Sequence, residues 1–266
     1  MKSATYIFIP LMLASTFCAA SEFPRLDEAY PSKINIRGFE PVFDFDNDGC
    51  YPAAGISRSG QQNPGLKTSG AVNGSCHDAG FLEISNTLHR YACIPGSGGS
   101  YCAQVYDMYF EKDQTANGPG GAGSHRHDWE SVAVWTLNGA ITHVSVSAHG
   151  NMDTREFSQI AKDGNHAKIV YNKHNVRTHI FRFASNTEPA ENHYGYWVTP
   201  AVTSWYELKG DGISNQNMRN KLNSFDYGSA SIKVKDSVFL TNINKWKPSG
   251  YPTFTQSSVE ASNPNP

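Results

Sequence analysis

The middle of the chain is a series of short runs rich in β-branched and aromatic residues, and this series limits the folds available to it. The runs are YCAQVYDMYF from Tyr101, SVAVWTL from Ser131, ITHVSVSAH from Ile141, KIVYN from Lys168 and THIFRFA from Thr178. Clusters of Gly, Asn and Asp separate them, which is typical of strands joined by turns. The Asn-Gly pair at 138–139 predicts a tight hairpin, because both residues accept positive φ angles. The pattern predicts a mainly β protein.

Few segments favour helix. Thr154 to Lys162 and Ser214 to Phe225 have helical composition, and Ser214 is a good N-cap. Neither segment is apolar enough for a core helix. A chain of this length can form one all-β sandwich domain. We therefore expect a single-domain central β-sandwich over residues 21–250, with a few peripheral helices and a disordered tail over residues 251–266.

Residues 1–20 have the layout of a secretory signal peptide. Lys2 precedes a short apolar run that ends in small residues, with cleavage expected after Ala20. No later stretch is long and apolar enough to predict a transmembrane helix. We expect a secreted, extracellular protein with no transmembrane segment. The formal net charge of −2 gives no indication of binding to nucleic acid.

Removal of the leader leaves an even number of cysteines. An exported chain with four cysteines is expected to form two disulfides, for which three connectivities exist. Sequential pairing closes the shortest loops and is favoured here: Cys50 with Cys76, and Cys93 with Cys102. Zinc ligation is disfavoured, because no cysteine pair has two-residue spacing.

The densest group of reactive side chains is SHRHDWE, residues 124–130. A core strand cannot bury so many ionisable groups without partners. If the strand begins near His127, alternation places Asp128 and Glu130 on one face and His127 and Trp129 on the other. The two carboxylates then lie at the rim of the sandwich.

Two neighbours can join these carboxylates. His125 lies in the preceding loop, and Asp113 lies upstream of it. Three carboxylates and one imidazole suit a hard divalent cation such as calcium, magnesium or manganese. Arg126 can moderate the negative charge or orient a carboxylate. Two alternatives stay open: a zinc site of His125 and His127, and a solvated strand end without metal.

A second acidic run consists of Asp44, Asp46 and Asp48. It resembles the opening of a calcium loop, but an EF-hand requires a glutamate where Gly55 stands. An irregular second calcium site held by Cys50 remains a candidate, against a solvated acidic turn.

HRHDWE, followed by SVAVW, resembles the signature of the necrosis- and ethylene-inducing-peptide-like proteins. The tyrosine-rich segment AQVYDMYFEKDQ at 103–114 is similar to the family segment that ends in Lys-Asp. RTHIFRFA, ENHYGYW and DYGSASIKVKDSVFLTNINKWKP follow in the family's order. The resemblance extends from about Phe43 to Pro248, and the cysteines resemble those of members with a second cysteine pair.

The resemblance implies a sandwich akin to actinoporins and fungal lectins, and a virulence effector of a plant pathogen. Its divalent cation, calcium or magnesium, would contact the sugar headgroups of plant glycosylinositol phosphorylceramide sphingolipids in the outer leaflet. This peripheral contact would damage the host plasma membrane and cause necrosis. The cation ligands carried over are Asp113, His125, Asp128 and Glu130. Supporting or headgroup-contacting residues would be Arg126, His127, Trp129 and His179.

The sequence departs from the family pattern in one region. Ser124 replaces the opening glycine of the signature, and Gly123 can take the strain of a positive φ angle. The loop QTANGPGGAGS, residues 114–124, is longer and richer in glycine than is usual in the family. Added loop residues cost little closure entropy, so Asp113 can still reach the ion.

The sequence favours a protein that is not an enzyme. It has no Gly-x-Ser-x-Gly elbow, HExxH helix or phosphate-binding glycine loop. Asp128 and Glu130 lie two apart on one strand face, and their side chains run parallel rather than flanking a bond. The alternatives are a non-cytotoxic sugar-binding member of the family and a secreted metal-dependent hydrolase acting on plant glycans or lipids.

Overall fold

The computed structural model describes residues 23–265, so the expected leader over residues 1–20 lies outside the described part. The strands are β1 Val42–Phe45, β2 Asn86–Gly96, β3 Gly99–Asp113, β4 His125–Leu137, β5 Ala140–Ala148, β6 Asn151–Glu156, β7 Lys162–Asp163, β8 His166–Lys173, β9 His179–Phe183 and β10 Ala201–Ser204. The helices are α1 Asn215–Ser224, α2 Phe239–Trp246 and α3 Gln256–Glu260. Short 3-10 turns occupy Phe81–Glu83 and Phe157–Gln159.

Two sheets face each other. The larger has the order β10-β2-β3-β4-β5-β6, and the smaller contains β1, β8 and β7, with β9 also paired to β8. Strands β2 to β6 pair as successive antiparallel hairpins, and the Asn138-Gly139 turn joins β4 to β5 as predicted. The expected mainly β sandwich with peripheral helices is confirmed.

Strand β4 is buried on both faces, and its alternation is the predicted one. Val132 and Val134 face a core shared with the smaller sheet. Ala133 and Trp135 face a second core, which is built with α1, α2 and the C-terminal segment. The large sheet is therefore the middle layer, with the smaller sheet on one side and the helices on the other.

One predicted helix is confirmed and another is wrong. Helix α1 begins after Ser214, whose side chain accepts a hydrogen bond from the Asn217 N–H at 3.4 Å. The predicted helix over 154–162 is instead strand β6, followed by a 3-10 turn and β7. Thr154 pairs with Ser145 of β5, and their hydroxyls are 2.8 Å apart. Edge pairing to β5 thus overrides the weak helical composition.

The tail also differs from expectation. Phe254 and Val259 are buried in the second core, on the helix side of the large sheet and here called the helix-side core. Thr255 caps the short helix α3. Apolar side chains that pack in a core hold a terminal segment in place, so the chain is ordered beyond residue 251. Helix α2, which the sequence analysis missed, buries Phe239 and Ile243 in the same core.

Both disulfides form with the favoured pairing, Cys50–Cys76 and Cys93–Cys102. Cys93 and Cys102 are directly opposite each other on β2 and β3. The other disulfide ties the segment after β1 to a loop 26 residues further along the chain.

The fold brings several chain segments to one end of the sandwich, here called the rim. Strand β3 ends at Asp113 opposite His125, where β4 begins. In the smaller sheet β8 ends at Lys173, and β9 returns from His179. The acidic run begins in β1 and continues past its end, and it lies at the same end of the sandwich because β1 is parallel to β8.

Candidate functional site

Three of the four predicted cation ligands meet at the rim. Asp113, His125 and Asp128 each place one ligand atom within 4.8 Å of the others. Among residues 23–265 this is the one such group of three or more His, Cys, Asp or Glu side chains. Glu130 lines the same cavity, and its carboxylate accepts a hydrogen bond from the Ser147 hydroxyl.

Asp113 and His125 are oriented by hydrogen bonds to residues outside the cluster. The carboxylate of Asp113 accepts from His179 Nδ1 at 2.7 Å and from the His179 N–H at 2.9 Å. Nδ1 of His125 lies 2.7 Å from the His127 carbonyl, and its Nε2 is 3.9 Å from Asp113. This contact fixes Nδ1 as the donor and leaves the Nε2 lone pair for a ligand, as in metal-binding histidines.

Asp128 and Glu130 have few donors for buried carboxylates. Asp128 accepts from the Tyr171 hydroxyl at 3.0 Å and from the Trp129 N–H at 2.9 Å. Burial, together with the charge of Asp113, raises the pKa of Asp128 to about 7. Burial and the charge of Asp128 raise the pKa of Glu130 well above its ordinary value. The site therefore has less positive charge than is needed to balance its carboxylates.

His179 connects the rim cluster to the acidic run. Burial alone would lower its pKa, but hydrogen bonds to Asp113 and Asp48 raise that pKa to about 10. Its Nε2 lies 3.0 Å from the Asp48 carbonyl oxygen. Gly49 permits this close approach, since a Cβ there would stand 2.7 Å from the same nitrogen. His179 is thus a positioning residue for Asp113.

The three other predicted supporting residues turn away from the cluster. His127 has a φ of +63° and places Nδ1 2.7 Å from the Tyr109 hydroxyl, in the helix-side core. Trp129 packs against Tyr109 and Tyr227 in that core, although it also contributes to the cavity wall. The geometry does not favour a zinc site of His125 and His127, because the latter ring bonds to Tyr109.

Arg126 lies on the outside of the rim. Its guanidinium donates to the Pro64 carbonyl at 2.9 Å, and the residue is exposed. The structure therefore gives it a role in holding the 63–66 segment, and no contact with a rim carboxylate is present among its described hydrogen bonds.

The glycine-rich loop accommodates Ser124 without strain. Gly118, Gly120, Gly121 and Gly123 take the positive φ angles, whereas Ser124 does not. The Ser124 hydroxyl donates to the Gly120 carbonyl and accepts from the Thr115 N–H at 2.9 Å. The serine thus secures the loop that separates Asp113 from His125.

The acidic run does not converge on one point. Asp44 accepts from the Glu191 N–H and from both nitrogens of Asn192, at 2.8–2.9 Å. Asp46 lies 3.7 Å from Arg182. Asp48 accepts from the Lys173 N–H at 3.3 Å. Each carboxylate of the expected second calcium site has protein partners of its own.

A cavity of about 230 Å³ opens beside the cluster. One wall carries the four predicted cation ligands, with Ser147, Thr178 and His179. A second wall comes from Ser229, Ala230, Ser231 and Lys233, with Trp246 of α2. The space is large enough for a monosaccharide-sized group, and its walls are polar on both sides.

Sequence reasoning missed several residues that shape this site. Tyr171 and Ser147 bond the two carboxylates of β4, and Lys233 reaches the cavity from a distant segment. Strand alternation could have placed Tyr171 on the inner face of β8. No spacing in the sequence points to Ser147 or Lys233, because only the packing of separate strands brings them here.

The residues present fit a hard divalent cation. Carboxylate oxygens and one oriented imidazole are suitable ligands, and their shared burial leaves negative charge that a cation would compensate. Asp113, Asp128 and Glu130 are only 1%, 5% and 8% exposed. Within the described residues, no helix is long and apolar enough to cross a bilayer.

Comparison with known proteins agrees with this fold. Residues 34–246 match the model of the family described as necrosis inducing protein (NPP1). The chain is similar to the necrosis-inducing protein NPP1 of Phytophthora nicotianae, with 30% identity over 215 residues, covering 77% of this chain and 78% of that protein.

Two solved structures share the fold. One, reported as "Toxin fold as basis for microbial attack and plant defense", has a TM-score of 0.68 and 25% identity, covering 85% of this chain and 97% of that one. The other, NLPPya in complex with mannosamine, has a TM-score of 0.66 and 25% identity, covering 88% and 97%. These relatives are necrosis-inducing and toxin-fold proteins rather than enzymes, as expected for this chain. The chain belongs to the necrosis-inducing protein family.

Proposed function

We propose that this protein is a secreted, divalent-cation-dependent cytolysin. In this proposal it binds the sugar headgroups of plant glycosylinositol phosphorylceramides in the outer leaflet and damages the host plasma membrane. Secretion rests on the leader-like residues 1–20. Sugar binding is supported by a relative of the same fold that was solved with mannosamine.

The observation that carries the proposal is the convergence of Asp113, His125 and Asp128 beside an open cavity. Buried carboxylates with few donors are costly unless a positive charge compensates them. Calcium or magnesium held by these residues and Glu130 would offer open coordination positions to sugar hydroxyls. The cavity beside them has room for the sugar.

The chain's own residues hold this arrangement before a ligand arrives. His179 orients Asp113, the His127 carbonyl orients His125, and Tyr171 orients Asp128. Such preorganisation lowers the entropy cost of binding. The rim lies at an end of the sandwich, where β3 and β8 end and β4 and β9 begin, so a membrane surface could reach it without a change in the core.

The proposal is tested with dye-filled vesicles that contain plant glycosylinositol phosphorylceramide. We expect the purified protein to release dye when calcium or magnesium is present and to stop when a chelator is added. Vesicles without the glycosylated lipid are the control and should stay intact. Leakage that is insensitive to chelator would contradict the proposed site.

Two other outcomes identify the alternatives. Cation-dependent binding to the vesicles without leakage would indicate a non-cytotoxic sugar-binding member of the family. Release of a cleaved glycan or lipid product would indicate a hydrolase, and chromatography of the lipid fraction after incubation detects it.

A further inference from the structure

The cavity beside the cation cluster has a second wall that differs in charge from the first. This wall is formed by the segment between α1 and α2, which contributes Ser229, Ala230, Ser231 and Lys233. Of the described residues that line the cavity, Lys233 is the one lysine or arginine. The cavity therefore has an acidic wall and a wall with a cation and hydroxyls.

The Lys233 ammonium has a hydroxyl as its one described hydrogen-bond partner. It donates to the Ser231 hydroxyl, and Ser231 also lines the cavity. No carboxylate of residues 23–265 forms an ion pair with it within 4.0 Å. A lysine ammonium has three donors, so two remain for a ligand or solvent.

The position of Lys233 is fixed by its backbone. Its N–H and that of Val234 both donate to the buried Asp107 carboxylate, at 2.5 Å and 3.0 Å. Asp107 lies on β3 in the centre of the large sheet. The fold thus presents this side chain to the cavity independently of what its ammonium contacts, and the side chain can be changed without loosening the segment.

The two walls face the same small space. Glu130 lines the cavity from β4, and Lys233 lines it from the segment between α1 and α2. One ligand of monosaccharide size can therefore touch both walls of the cavity of about 230 Å³.

We propose that the Lys233 wall binds an anionic substituent of the headgroup, a phosphate or a carboxylate, while the sugar hydroxyls face the acidic rim. This inference rests on the proposed function and deepens it by assigning recognition of the headgroup's negative charge to Lys233. A lysine ammonium binds such groups as a compact point charge, and partial enclosure of the cavity strengthens the attraction. Lys233 is then a specificity-determining residue.

The test is calorimetric titration of the full secreted chain with soluble probes in calcium. The probes are myo-inositol 1-phosphate, glucuronic acid and neutral myo-inositol. We expect Lys233→Gln to weaken at least one anionic probe about tenfold, the loss expected for one charge-assisted hydrogen bond. Binding of neutral myo-inositol should not change. The anionic probe that depends on Lys233 identifies phosphate or carboxylate as the recognised group.

Three controls make the test specific. Lys233→Arg keeps the charge and should retain affinity for the anionic probe. Lys245→Gln removes an exposed lysine of α2 next to the cavity-lining Trp246 and should have no effect. Glucosamine carries a positive charge, so Lys233→Gln should bind it equally well or more tightly.

The outcomes separate this inference from the proposed function. If myo-inositol binds only with calcium, and Lys233→Gln leaves both anionic probes unchanged or weakens all probes equally, the Lys233 assignment is overturned and the cation site stands. If wild-type protein binds no probe in a calcium-dependent way, the proposed function fails and the inference fails with it.

Discussion

Two regions of the protein each contain three carboxylates, but their surroundings differ. One is the acidic run of Asp44, Asp46 and Asp48, and the other is the rim cluster of Asp113, Asp128 and Glu130. In the acidic run the carboxylates point to separate partners: backbone and side-chain amides, Arg182, and the Lys173 N–H. At the rim they gather on one side of a cavity, where their donors are two hydroxyls, two backbone N–H groups and the His179 ring.

The difference shows what makes an acidic cluster a binding site. A carboxylate such as that of Asp44, with three N–H donors, is part of the fold and needs no ion. Buried carboxylates that share a space with few donors carry unbalanced charge, which an ion or a proton must offset. His179 lies between the two regions, with one ring nitrogen on Asp113 and the other on the Asp48 carbonyl.

The largest expected effect comes from Asp128→Asn. Removal of a ligand charge at the centre of the cluster should lower calcium affinity more than about 100-fold, beyond the 10–100-fold loss typical for a supporting residue. Leakage of glycosylated vesicles should stop at calcium concentrations that saturate the wild type. Isothermal titration and dye release measure both.

Asp46→Asn is the matched control from the acidic run. It makes the same chemical change at a carboxylate that faces Arg182. Calcium affinity and leakage should stay within about twofold of the wild type, below the roughly 0.5 kcal/mol at which coupling between sites begins. A large loss of calcium affinity in this variant would restore the acidic run as a cation site.

Asp44→Asn should lower the stability of the fold and leave calcium affinity unchanged. Asp44 is fully buried and accepts three hydrogen bonds from N–H groups. An amide would place its own donors against some of these, so we expect a loss of about 2 kcal/mol in the free energy of unfolding. Calcium affinity of the folded variant should not change. Urea denaturation with and without calcium tests this, and an unchanged stability would contradict the structural role.

His179→Gln should have a smaller effect on calcium. The variant loses the contact that orients Asp113, so calcium affinity should fall about tenfold. The cation preference should stay the same, because no ligand is removed. His166→Gln is the control. His166 lies on β8, far from the cluster, and it hydrogen-bonds the Glu40 carbonyl. Equal losses in both variants would indicate a general loss of stability.

The smallest effect concerns protonation. Burial raises the pKa of Asp46 to about 7, and burial with the charge of Asp113 raises that of Asp128 to about 7. A raised carboxyl pKa favours the folded state below the unfolded value of 3.8, and this contribution is lost as the pH rises through about 7. Calcium should lower the pKa of Asp128 and leave that of Asp46 unchanged. Carbon-detected NMR titration of the two carboxyls distinguishes the regions.

The amino-acid sequence predicted much of the middle of this protein. The alternation of β4, the hairpin at Asn138, the start of α1 after Ser214 and both disulfides follow from local patterns. The group of Asp113, His125 and Asp128 also follows, because His125 and Asp128 are three residues apart and β3 pairs back onto β4. These features depend on neighbours in the chain or on one hairpin.

Local patterns failed where distant segments compete. Residues 154–162 have weak helical composition, yet pairing with β5 makes the first of them a strand. The C-terminal segment looks polar, yet Phe254 and Val259 fill a core that the sequence does not show. In each case the energy comes from burial or pairing with residues far along the chain.

The sequence alone determined that two acidic regions exist and that one accompanies histidines on a strand. Only the tertiary structure decided which of them converges beside a cavity, because the positions of the carboxylates depend on how loops and sheets pack. Glu191 and Asn192 satisfy Asp44 from 147 residues or more away. Lys233 reaches the cavity because Asp107, in the middle of another strand, fixes its backbone.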